Sequence, residues 1–201
     1  MKPLRAGAAG RTAATALVSA SGAQQAHAHL VETGLGPVYD GIAHFALTPE
    51  DLMPALALAV LAGLRGTDHA RRVILVLPLA WLLAYLLGTS PNVSLPGSLS
   101  WVPLLVLGGL VAADFRLPIA VTTALAAALG LFLGLSNGYV MAQAGAGVRG
   151  GIGIVGAVFV VATLGAACAV AWQSGWLRIA WRVAGSWIAA SGLLLLGWSL
   201  R

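Results

Sequence analysis

The chain has 201 residues, 59% of them hydrophobic and 8% charged, with a mean hydropathy of +0.91. An ordinary soluble domain carries about 25% charged residues, so this composition excludes one and defines an all-α integral membrane protein. The net charge of +5 comes from 11 cations scattered between apolar segments, which leaves no basic stripe for a nucleic acid.

Residues 1–28 read as a signal peptide. Lys2, Arg5 and Arg11 form a basic start, residues 12–20 (TAATALVSA) a weak apolar stretch, and Ala26-His27-Ala28 a small-x-small cleavage pattern. Cleavage there makes His29 the first mature residue. Its α-amine and imidazole together could chelate a cation.

Residues 36–47 (GPVYDGIAHFAL) predict a short separate helix or re-entrant piece. Thr48-Pro49-Glu50-Asp51 then predicts a helix start, with Thr48 as N-cap, Pro49 at the first position and acids in the first turn. Six hydrophobic segments follow, at about 49–65, 72–88, 101–114, 117–136, 150–172 and 180–199. The expected architecture is one domain over residues 29–201. It is a compact bundle of six transmembrane helices behind a signal peptide and a short interfacial helix.

Arg65, Arg71 and Arg72 flank the first connection, Arg116 lies in the third, and Arg178 and Arg182 flank the fifth. Excess cations mark cytoplasmic loops. The odd connections are therefore expected inside and the mature N-terminus outside, in a bacterial inner membrane. Asp114 and Arg116 are expected to pair at the end of the third segment, and Asp68 to lie beside Arg71 and Arg72. Gly130, Gly134 and Gly138 form a small-residue ridge that lets helices approach closely and permits, without requiring, a homo-oligomer. Trp172, Trp176, Trp181, Trp187 and Trp198 suit membrane interfaces. Cys168, the one cysteine, excludes an intrachain disulfide.

Four of the six carboxylates and three of the four histidines lie between residues 27 and 51, and no Lys or Arg occurs from Thr12 to Leu64. Asp40 and His44 are one helical turn apart, and Asp51 returns to that face if the helix runs on. Imidazole with carboxylates suits a divalent first-row metal rather than magnesium. Glu50 and His29 complete the candidate metal set of His44, Asp40, Asp51, Glu50 and His29. The competing reading makes Glu50 and Asp51 helix-start acids, Asp40 a cap and His44 a satisfied interfacial histidine.

Residues 34–66 (GLGPVYDGIAHFALTPEDLMPALALAVLAGLRG) resemble the HupE/UreJ family of hydrogenase and urease accessory membrane proteins, in its second, divergent branch. That resemblance implies nickel or cobalt permeation. The family's first motif is His, five residues, then Asp-His; here His44 is followed by Glu50 and Asp51. Its second is F-H-G-x-A/V-H-G-x-E; here it reads Phe132-Leu133-Gly134-Leu135-Ser136-Asn137-Gly138-Tyr139-Val140. Both histidines and the glutamate are replaced, which leaves a more oxygen-rich site with Ser136 and Asn137 as pathway residues.

The expected function is a secondary permease for a divalent transition metal, with no phosphate-binding loop and no enzymatic role. The cation is cargo, and no prosthetic group is expected. Partners are the lipid bilayer, the metal ion and metalloenzyme maturation proteins. The alternative is a non-transporting accessory or metal-binding subunit. Gly134-Leu135-Ser136-Asn137 faintly resembles an intramembrane serine-protease turn, but no histidine follows His69 to serve as its base.

Overall fold

The computed structural model describes residues 33–90 and 99–200. These form seven helices and no strand: α1 (Pro37–Leu47), α2 (Pro49–Gly63), α3 (Thr67–Gly88), α4 (Trp101–Ala112), α5 (Ile119–Gln143), α6 (Gly147–Ala171) and α7 (Gly175–Ser199). The expected signal peptide and His29 lie outside the described residues.

The predicted short helix before the first long segment is present as α1. Proline at the start of both α1 and α2 supplies a preset φ and removes an N–H that would be unpaired there. Between them Thr48 is extended (φ −100°, ψ 98°), and the two helices meet at a 73° bend. The Thr48 hydroxyl donates to the His44 carbonyl at 2.6 Å, so it closes the end of α1. It makes no side-chain cap to α2, contrary to its expected role.

Four helices (α3, α5, α6 and α7) are long and apolar enough to cross a bilayer, and the bent α1–α2 pair makes a fifth if counted as one span. The third segment forms only the 12-residue α4, about 18 Å long against a hydrocarbon core of about 30 Å. The fourth runs on to Gln143, seven residues past its expected end at 136.

Helix α2 sits in the centre. It touches all six other helices and buries 10 of its 15 residues. The broadest interface joins α3 to α5. It is built on the predicted glycine ridge: a Cβ on Gly130 would meet the Leu77 carbonyl, one on Gly134 the Trp81 carbonyl, and one on Gly138 the Tyr85 carbonyl. Partners rise together along both chains, so α3 and α5 run parallel. Helix α1 lies on α6 in the same close way, Gly41 against the Gly150 carbonyl and Gly153 against that of Val38.

Helices α4 and α7 form a pair of their own through Gly108, Gly185 and Gly192. Beyond it, α4 packs on α2, while an apolar cleft of about 200 Å³ separates it from α5, lined by Val106, Leu107, Leu125 and Phe132 among others. Most of α7 is exposed, including Trp176 and Trp198 near its two ends and Trp187 at its middle.

The charges at one end correct an expectation. Asp114 pairs with Arg65 and with Arg178 (Nε to Oδ2, 2.6 Å), while Arg116 is exposed. The partners come from the α2–α3 connection, the α4–α5 connection and the first turn of α7, so the odd connections share one face. Asp68 does sit beside Arg71, at 3.8 Å in solvent.

Burial alone would raise the Asp114 carboxyl, but hydrogen bonds and charge from Arg178 and Arg65 outweigh it and hold it below the usual range. A carboxyl lowered on folding stabilises the fold above its unfolded pKa, about 3.9, and loses that contribution as pH falls through the lowered value. The melting-temperature gap between the intact protein and Asp114→Asn is therefore expected to be constant near neutrality. It should narrow on acidification through that range. A gap that widens in acid would refute the assignment.

Candidate metal site

Three polar side chains are buried together where α1, α2 and α5 meet. His44 of α1 is 7% exposed, Asp51 of α2 5% and Asn137 of α5 3%. His44 Nε2 lies 3.9 Å from Asp51 Oδ2. The Asn137 amide lies beside both groups.

Each element delivers its residue for a local reason. The interruption at Thr48–Pro49 ends α1 and starts α2, so His44 and Asp51 face each other across a corner instead of along one helix. Phe45, next to His44, is fully buried with its ring edge-on to Trp81 at 5.8 Å, which holds the end of α1 against α3. Asn137 lies on the buried face of α5 between Gly134 and Gly138, which bring that face against α3. It is six residues before the helix end at Gln143, about 9 Å along the axis. The site is therefore recessed, at the end of α2 opposite Arg65.

The hydrogen-bond inventory is incomplete at this place. Asn137 Nδ2 donates to the Leu133 carbonyl at 2.9 Å, which fixes the amide orientation and leaves Oδ1 as the remaining acceptor. That oxygen is buried without a partner; so is His44 Nδ1, the ring nitrogen other than the one nearest Asp51. Buried polar atoms are normally paired, so unpaired ones call for an explanation such as a missing ion or water. The His44–Asp51 separation is too long for a hydrogen bond. It falls within the span of a cation bound about 2.0–2.2 Å from nitrogen and oxygen. An imidazole, a carboxylate and an amide oxygen suit a borderline divalent metal.

The other candidates are arranged differently. Asp40 Oδ1 accepts from Thr33 N–H and from Thr33 Oγ1, both at 2.7 Å, so its carboxylate is engaged by the chain ahead of α1. Glu50 is half-buried in the first turn of α2, next to Asp51. Ser136 is half-buried beside Asn137. Among the described residues, no three His, Cys, Asp or Glu side chains converge. Sequence reasoning gave Asn137 to the pathway, and the geometry places it in the buried group itself. The Thr33 clasp on Asp40 went unnoticed because Thr33 lies ahead of α1, where no helical spacing relates it to Asp40.

The fold and this recessed polar group define a helical membrane protein whose first two helices form a bent pair. The family follows: the model for the HupE / UreJ protein matches residues 15–195, and the chain belongs to that family. No curated protein and no solved structure gives a match.

Proposed function

We propose that the chain is a secondary permease for a divalent transition-metal cation, nickel or cobalt by family, which enters through His44, Asp51 and Asn137. The observation that carries this is a convergence. His44 and Asp51 stand in the stretch matching the family's first metal motif, and Asn137 holds the place of a histidine in the second. Segments some 90 residues apart in sequence thus meet at one buried, incompletely bonded polar group.

In the proposed cycle the outer carboxylates concentrate the cation. Asp51 supplies charge, His44 Nε2 a nitrogen and Asn137 Oδ1 an oxygen as hydration is lost. Inward movement of a divalent ion is favoured by about 4.6 kcal/mol per 100 mV. The membrane is the bacterial inner membrane, with six crossings, the N-terminal side of α2 outside, and Ser136 on the path. The protein works without enzymatic activity or a prosthetic group. Delivery to metalloenzyme maturation proteins is the partner reading that membership of the family supports. The sparse donor set favours a second reading, a non-transporting accessory that holds metal at the outer face.

Uptake in cells lacking their own nickel and cobalt importers separates these readings. Accumulation of one metal establishes the permease; metal bound to purified protein without accumulation establishes the accessory. Asp40→Asn is expected to lower uptake less than Asp51→Asn, because Thr33 already occupies that carboxylate. Asn137→His restores an imidazole at the motif position. It is expected to tighten nickel binding about tenfold or more, read as a lower half-saturating concentration. Unchanged or weaker nickel binding would place Asn137 outside the site.

A further inference from the structure

We propose that α4 and α7 move as one arm against the other five helices, and that Asp114 with Arg65 and Arg178 is the latch that holds the arm closed on α2. Four observations lead there. First, α4 and α7 pack chiefly on each other; α2 is the main link from α4 to the remaining helices. Secondly, the apolar cleft between α4 and α5 leaves the arm without close support on that side.

Thirdly, the arm's polar ties gather at one end. Arg65 and Arg178 meet on Asp114, and Gln173 Nε2, just ahead of α7, donates to the Gly63 carbonyl at 3.2 Å. The Arg65 side chain is only 7% exposed, and its Nε is buried without a partner. With one aspartate between two guanidiniums the cluster carries a net positive charge. It closes the end of α2 opposite Asp51 to a cation.

Fourthly, the latch residue stands where the backbone prefers another. Helix α4 ends with Asp114 N–H bonded to the Val111 carbonyl and Phe115 N–H to that of Leu110, the paired bonds of a Schellman cap. Asp114 occupies the left-handed position, φ +52°. Helix α5 ends in the same pair of bonds, from Gly145 and Ala146, with Gly145 at φ +73°. Glycine suits that position at no steric cost, and an L-residue is disfavoured. Aspartate at α4 gives up that ease and supplies the carboxylate both arginines use. Outward movement of the arm would uncover the flank of α2, the helix that carries Asp51.

This follows from packing and holds whether or not the chain carries metal. Spin labels at Val106→Cys and Ala128→Cys, in a Cys168→Ala background, report the α4–α5 distance in nanodiscs by pulsed electron resonance. The intact latch is expected to give one short distance. Asp114→Gly keeps the helix cap, relaxes the backbone and removes the carboxylate. It is expected to add a longer population, while a control pair at Ile42→Cys and Ile152→Cys across α1 and α6 stays unchanged. Asp114→Asn should do the same. One short distance in both variants, with helical content intact, would overturn the proposal, as would equal broadening of the control pair.

Discussion

Asp51→Asn is expected to lower metal uptake by at least about 10–100-fold, the range seen when even an outer partner of a metal ligand is lost, while leaving the protein as stable as before or more so. The two effects separate because of where Asp51 sits. Its side chain is 7% exposed, and among the described residues no Lys or Arg lies within 4.0 Å; its ionic neighbour is His44 at 3.9 Å. A buried carboxylate without a fixed cation is costly. Asparagine keeps the shape and removes the charge, so a purely structural role predicts little loss of function. A site for a transient cation predicts lost uptake with an unchanged or raised melting temperature. His44→Ala should lose uptake similarly, but with some loss of stability from the vacated space beside Phe45. Normal uptake by Asp51→Asn at equal expression would remove Asp51 from the mechanism.

The second large effect concerns stability alone. A methyl group on Gly134 would collide with the backbone of Trp81, a helix backbone and not the movable end of a flexible side chain. Gly134→Ala is therefore expected to cost about 1–3 kcal/mol or more by overpacking, with a lower melting temperature in detergent and poor membrane yield. Gly156→Ala is the matched control on α6: nothing lies within 4 Å of the added Cβ. Its better helix propensity should make it neutral or slightly stabilising. Equal behaviour of the two variants would contradict the α3–α5 packing.

These contrasts show what the sequence could convey. Apolar runs located six of the seven helices, and Thr48-Pro49, followed by two acids, located the break after α1. The glycine spacing announced a close seam without naming α3 as its partner, since the partner offers only backbone there. Helical spacing grouped both Asp40 and Asp51 with His44; Asp51 does meet it, across the break and not along one helix, while Asn137 joins from α5. Side chains joined across helices have no periodic signature in a single chain. The Asp114 cluster was hidden for the same reason: Arg116 is near in sequence, while Arg65 and Arg178 are near only after folding. The resemblance of residues 132–140 to a metal motif was the one signal that could point to Asn137.

The central claim is that His44, Asp51 and Asn137 together hold one divalent metal ion. Equilibrium dialysis of the purified protein against nickel or cobalt, read by elemental analysis, tests it directly. The account predicts about one ion per chain, lost in Asp51→Asn and His44→Ala and kept in Asp40→Asn. The same retention in all four proteins, or none in the intact one, would contradict it.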